Sequence, residues 1–231
     1  MFAIETLRKV MGLARAARKK YEEMRTEDIK LCISKGNKKI GRVMNVSLMP
    51  IMTCPNCSGC SKLCYDIKAC SQYPNTVIDA RMRNTVLMER DMGEYFARID
   101  AAISCRRKNK YFRWHVAGDI KNIEYFDHMI EIARRHPDFI FWTYTKNYAV
   151  VNAYVQNHGG SIAAAIPSNL SVMFSEWRGM DMVNPFGFPE FRVVFKDEVE
   201  PAGFYCPGNC DVCKAAHRGC LASETTYCRE H

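Results

Sequence analysis

Apolar and polar positions along this chain change period several times, and each change predicts an element. Residues 2–24 read as an amphipathic helix, with Ile4, Leu7, Met11 and Ala14 at three- and four-residue steps and Arg8, Lys9, Arg15, Arg18 and Lys19 largely off that line. Ile29 to Ile33 and Ile40 to Leu48 read as two strands of a hairpin, with Gly36-Asn37 as turn residues and Pro50 closing the second. A long helix is expected over about 77–104, with Ile78, Met82, Met92, Phe96, Ile99 and Ile103 along one face. Strands then alternate with helices. Strand 111–116 precedes helix 123–135, which stops before Pro137; strand 139–144 precedes helix 148–156, which ends near Gly159-Gly160. Strand 161–166 is closed by Pro167, and 171–174 and 191–195 are further strands.

This alternation argues for an α/β fold with a parallel sheet and right-handed crossovers, either a partial (β/α) barrel or an open α/β sheet. Three regions are expected: a basic amphipathic helix over 1–28, an α/β barrel-like domain over 29–200 with a Cys-rich loop at 54–70, and a Cys-rich metal-binding tail over 201–231.

A chain of 231 residues buries enough surface to fold without disulfides, so its 12 cysteines need another explanation. No secretory signal or bilayer-long apolar run is visible, so the reading is a cytoplasmic protein without a membrane partner. Clustered thiols in such a chain point to metal or catalysis. The net charge of +8 is uneven: residues 1–43 carry 12 Lys/Arg against 5 Asp/Glu, and the remainder is nearly neutral. The basic N-terminal segment is therefore the expected contact for a nucleic acid.

The first cysteine group comprises Cys54, Cys57, Cys60, Cys64 and Cys70, within a Gly/Pro/Asn/Ser loop that leaves the carboxyl end of the strand around Val46–Leu48. Soft thiolates favour zinc or iron–sulfur clusters, and α/β folds place ligands beyond the carboxyl ends of their strands. Cys54/Cys60/Cys64 and Cys57/Cys60/Cys64 are both plausible trios that would leave one iron open, and Cys70 could close either. The second group, Cys206, Cys210, Cys213 and Cys220, has the spacing of a closed four-thiolate site with a structural or electron-relay role. Cys228 and His217 are spare candidates.

Arg113-Trp114-His115-Val116-Ala117-Gly118-Asp119 runs from a strand into a loop. Gly118 permits close backbone approach to a ligand and Asp119 could accept from an amine or hydroxyl; a helix-capping turn is the plainer role. His115 is expected on the face opposite Trp114. Lys146, in the polar strand end Thr143-Tyr144-Thr145-Lys146-Asn147, is a further catalytic candidate. Walker, dinucleotide-binding and nucleophile-elbow motifs are missing from the chain.

Ser34-Lys35-Gly36-Asn37-Lys38-Lys39-Ile40-Gly41, Asn45-Val46-Ser47-Leu48, Thr53-Cys54-Pro55, Cys64-Tyr65, the Arg-x-His-x-x-Gly-Asp stretch and the terminal cysteines together resemble the phage and prophage "gene product 88" family, from about residue 30 onward. A more distant similarity is to radical S-adenosylmethionine enzymes. It implies a partial (β/α) barrel, a three-cysteine loop after the first strand holding a 4Fe–4S cluster, and a glycine-acid motif after the second strand that meets the amino group of S-adenosylmethionine. Cys60, Cys64 and Tyr65 would lie in that loop and Gly118 and Asp119 in that motif, in matching order. That family's usual gaps of three and then two residues occur here only at Cys206, Cys210 and Cys213. The gene product 88 resemblance implies little chemistry by itself; the favoured expectation is an iron–sulfur enzyme doing radical or redox chemistry, on a nucleic acid or modified nucleotide. The alternative is a zinc-stapled nucleic-acid-binding module without catalysis.

Overall fold

The structure is a computed structural model describing residues 4–57, 60–61 and 64–230. Seven strands form one sheet: β1 (Met44–Val46), β2 (Tyr111–Trp114), β3 (Ile140–Thr145), β4 (Leu170–Glu176), β5 (Glu190–Val194), β6 (Phe204–Tyr205) and β7 (Thr226–Arg229). Their order is β1-β2-β3-β4-β5-β7-β6 and every neighbouring pair is parallel. The first five strands follow one another in space as they do in sequence. Right-handed crossovers between strands in that order place the connecting helices on one face.

Among the described residues the helices are α1 (Ile4–Glu22), α2 (Tyr65–Gln72), α3 (Asp79–Arg90), α4 (Met92–Ser104), α5 (Ile123–Arg135), α6 (Tyr148–Asn157), the single-turn α7 (Ile162–Ala165) and α8 (Cys210–Ala216). α1 packs on α3, α3 on α4, α4 on α5 and α5 on α6. Strand alternation divides the sheet's two faces. Phe112, Trp114, Phe141, Val172 and Phe174 belong to the main core, with Phe126 and Ile130 of α5 and Val151 and Val155 of α6. Trp142 faces the other way and packs with Ile40, Val43, Cys213 and Leu221, flanked by Tyr111, Tyr144 and Phe204. The C-terminal segment therefore covers this second face as well as supplying β6 and β7. Each large side chain so enclosed contributes roughly 1.5–3 kcal/mol. No described helix is long and apolar enough to cross a membrane.

Several local expectations are corrected. Residues 29–33 are not a strand. The side-chain amide of Asn84 takes a strand's place, accepting from Cys32 N and donating to Cys32 O at 2.8 Å each. Among the described residues two isolated antiparallel bridges, Ser34–Asn45 and Asn37–Gly41, remain of the hairpin ladder, and the strand expected over 40–48 shortens to β1. The helix expected over 77–104 breaks at Asp91, whose extended backbone and side chain cap α4 by accepting from Glu94 N at 2.8 Å. Residues 161–166 form α7 rather than a strand, because Ser161 caps that turn.

Candidate functional site

The carboxyl ends of β1, β2 and β3 gather the first cysteine group and the polar candidates. β1 and β2 are neighbours, with Val46 opposite Trp114. Beyond them Leu48 N donates to Ala117 O at 2.9 Å and His115 N to Val46 O at 3.0 Å, so the two loops start out zipped together. Gly118 has φ of +88°, and a Cβ there would lie 2.8 Å from Leu48 Cβ and 2.9 Å from Thr53 Oγ1. Glycine is what lets these loops touch.

Asp119 is buried and serves as the knot of the site. Its Oδ1 accepts from the Thr145 hydroxyl at 2.6 Å and from Ile120 N at 2.7 Å, and its Oδ2 accepts from Lys146 N at 2.9 Å. Of about four lone-pair positions on a carboxylate, three are taken and one on Oδ2 is left. Burial raises its pKa, with the Thr145 and Lys146 hydrogen bonds opposing. Lys146 sends its ammonium to Ser175 Oγ on β4 at 2.9 Å, while its carbonyl accepts from Asn56 Nδ2 at 2.8 Å. The first cysteine loop is thereby tied to the loop after β3. Tyr65, at the start of α2, donates its hydroxyl to Val116 O and clasps that loop to the one after β2.

Within the first group, Cys54 is the most enclosed member of the trio with Cys60 and Cys64. Burial pushes its thiol up to about 12, assisted by the charge of Asp119 and by Cys64 and Cys60. Cys64 precedes α2; burial raises it while the N–H groups of Ile67 and Asp66 pull the other way. Cys57 lies beside Cys60, whose Sγ is 3.9 Å from Cys57 O. Cys70 lies in the main core on α2, with Sγ 3.9 Å from Asp66 Oδ2 and beside the buried Asp66–Arg81 ion pair.

His115 sits apart from this cluster. Its left-handed backbone, φ +53°, breaks the alternation, so its ring lies on the same side as Trp114 and not opposite it. The ring is buried, with Nε2 2.8 Å from the Tyr125 hydroxyl and Nδ1 3.4 Å from Thr143 Oγ1. Burial, with the nearby Arg113 charge, pushes its pKa down to about 3.

The second group occupies the sheet's other face. Cys206, Cys210, Cys213 and Cys220 line one cavity of about 20 Å³, walled by Trp142, Tyr144 and Phe204. Burial pushes Cys213 and Cys220 up to about 11. Cys228 joins them: the parallel β6–β7 register continues through Cys206 N donating to Tyr227 O at 2.7 Å, bringing Cys228 alongside Cys206. His217 is exposed at the left-handed end of α8. Among the described residues no three His, Cys, Asp or Glu side chains converge as a ready-made metal cage; the thiols surround the tail cavity without closing on its centre.

Ser175 is a partner that motif reading passed over, and Thr145 and Arg113, though inside the stretches it singled out, were given no role there. Arg113 stacks over the Tyr144 ring at 4.7 Å, its charge acts on both Tyr65 and Cys210, and its buried Nε has no hydrogen-bond partner. It stands between the two cysteine groups. An arginine inside a strand was the available signal.

No curated protein and no solved structure matches this chain. The profile of the gene product 88 family matches residues 15–201, and the chain belongs to that family.

Proposed function

We propose that this chain is an iron–sulfur enzyme of the radical S-adenosylmethionine kind, built on a partial (β/α) barrel and acting on a nucleic acid or nucleotide. The observation that carries the reading is that the loop bearing Cys54, Cys60 and Cys64 follows β1, and Asp119 follows β2, at the carboxyl ends of neighbouring parallel strands. The sequential order of β1 to β5 is the winding that curls a sheet toward a barrel.

Cys54, Cys60 and Cys64 would hold a 4Fe–4S cluster with one iron left to a small-molecule ligand. Such a cluster supplies low-potential electrons when bound. Asp119, fixed by Thr145 and Lys146, offers its spare Oδ2 lone pair to the ligand's amine. Gly118 lets that ligand approach the backbone, Tyr65 holds the loops in register, and Lys146 and Ser175 present a polar floor. Anaerobic reconstitution, metal and sulfide analysis, and electron paramagnetic resonance of the dithionite-reduced protein test this. S-adenosylmethionine should change the signal and Cys64→Ala should remove it. A protein holding only zinc, or a signal indifferent to the cofactor, overturns the proposal.

The tail cavity favours a second reading for its own region. At about 20 Å³ it has room for a single water-sized species and not for a four-iron cluster. Four thiols around such a space suit one tetrahedral zinc. If zinc is the protein's sole metal, the zinc-stapled nucleic-acid-binding module without catalysis replaces the enzyme.

A further inference from the structure

At the opposite end of the sheet, before β1 and β2 begin, two loops form an open cleft of about 570 Å³. Lys35 and Arg42 come from the turn before β1, and Arg106, Arg107 and Lys108 from the loop between α4 and β2; Cys105 and Asn109 complete the wall. The lining carries five cations and no acid. Among the described residues none of the five is in an ion pair; along α1, Arg18 and Lys20 pair with Glu22 and Asp79, while Arg8, Lys9, Arg15 and Lys19, also outside any ion pair, are exposed on the helix and line no part of this cleft. Arg106 adds an unmet donor, a buried Nε without a hydrogen-bond partner. Five unneutralised cations packed side by side repel one another and concentrate anions.

We propose that this cleft, which draws Lys35 and Arg42 from the basic segment 1–43, binds the phosphate backbone of a nucleic acid, and that α1 of that segment does not. Phosphate oxygens would neutralise the five cations and accept from Arg106 Nε, which suits the fork of arginine donors. The lining has no aromatic ring for base stacking and no carboxylate or amide fork beyond Asn109, so the cleft reads backbone rather than base edges. It also has no apolar side chain to enter a lipid surface. Exposed Lys38 and Lys39, on the same turn as Lys35, extend the basic track past the cleft. Cys210 N donates to Lys39 O at 2.9 Å, so the tail braces this turn. The cleft lies away from the cysteine loop at the carboxyl ends and its binding is separable from cluster chemistry.

Fluorescence anisotropy of the full-length protein with labelled 20-nucleotide single and double strands, titrated at several salt concentrations, tests the proposal. The triple variant Arg106→Gln/Arg107→Gln/Lys108→Gln should bind at least roughly tenfold more weakly and lose about two to three units of salt slope, since each phosphate contact contributes about 0.7–0.9. Lys35→Gln/Arg42→Gln, on the other wall, should lose about one to two units. A variant with Arg8, Lys9, Arg15 and Lys19 changed to Gln should stay within about twofold of wild type. Thermal melts confirm that each variant is folded. An unchanged salt slope in both cleft variants overturns the proposal. So does a wild-type protein that ignores both strands at low salt while binding inorganic triphosphate or phosphatidylserine vesicles.

Discussion

The two cysteine groups use the same side chain in opposite settings. The first is held in polar company: Asp119, Thr145, Lys146 and Asn56 bind its loop to the strand ends, and the thiols lie where three loops meet. The second is walled by Trp142, Tyr144 and Phe204 on a sheet face that would otherwise be bare. Thiols amid spare hydrogen-bonding groups can serve a ligand that comes and goes. Partly buried thiols set against aromatic side chains suit a site that holds a segment down. Position relative to the strand ends, rather than cysteine spacing, is what distinguishes the two groups and what the proposed reactive and structural roles rest on.

The largest expected effect breaks the second region alone. If the tail thiols take up zinc as proposed, Cys210→Ser and Cys213→Ser should each sharply reduce soluble yield, because metal binding to such a site is also folding free energy, about 10–16 kcal/mol for structural zinc. The tail carries β7, which pairs with β5, and it covers Trp142, so its loss uncovers a sheet face. Tryptophan emission should shift to the red and a hydrophobic dye should bind, with chelation of the metal doing the same. Cys64→Ala should leave yield and emission unchanged. Full solubility and an unaltered melting temperature in both serine variants would show that the tail thiols carry no structural metal.

A middle-sized effect probes the first region. Gly118→Ala puts a Cβ into Leu48 and Thr53 at a left-handed backbone position. Strain plus overpacking should cost about 2–3 kcal/mol, lowering the melting temperature by roughly 5–10 °C for a chain of this size. If the first group holds iron and the tail zinc, as proposed, iron content should fall with it while zinc stays, because the contact between the loops after β1 and β2 is what opens. A variant with wild-type iron content and melting temperature would show that the close approach is dispensable.

Much of the scaffold was legible because its periodicity is strong. α5 begins and ends where the pattern placed it, capped by Asn122 accepting from Tyr125 N and ending before Pro137. β2 to β5 and α6 fall within a few residues of expectation. What failed depended on distant partners. Nothing near residue 32 announces that Asn84 will satisfy its backbone, and the apolar stripe through Met92 conceals the cap at Asp91. The tail's elements have too many Gly, Pro and Cys residues for any period to show, and their partners lie on β3 and β5. At the site, cysteine density and Gly118-Asp119 stood out as motifs. The Thr145 and Lys146 contacts to Asp119 did not, since they require knowing that β2 and β3 are parallel neighbours. The basic cleft was half visible: Lys35 and Arg42 lie in the basic segment 1–43, whereas Arg106, Arg107 and Lys108 are lost in the near-neutral sum of residues 44–231.

The smallest expected effect concerns the turn that carries Cys220. Glu224 Oε2 accepts from Gly219 N and from Arg218 Nε at 2.8 Å each, pinning the turn that carries Cys220. The Arg218 guanidinium, then the Gly219 N–H, lower its pKa to about 2 from the usual 4.5. A carboxylate depressed in the folded state adds stability that is complete above its unfolded pKa. That stability is lost as pH falls through the folded one. The melting-temperature difference between wild type and Glu224→Gln should therefore be constant above about pH 5 and shrink between pH 4.5 and 2. The pair is partly exposed, so the difference should be small, at most about 1 kcal/mol, and should diminish in high salt. With tail metal bound the difference should shrink further, because thiolate ligation then holds Cys220 in place of the ion pair. A difference that persists at pH 2, or grows when metal is added, would mean that Glu224 supports the turn through packing and not through its charge.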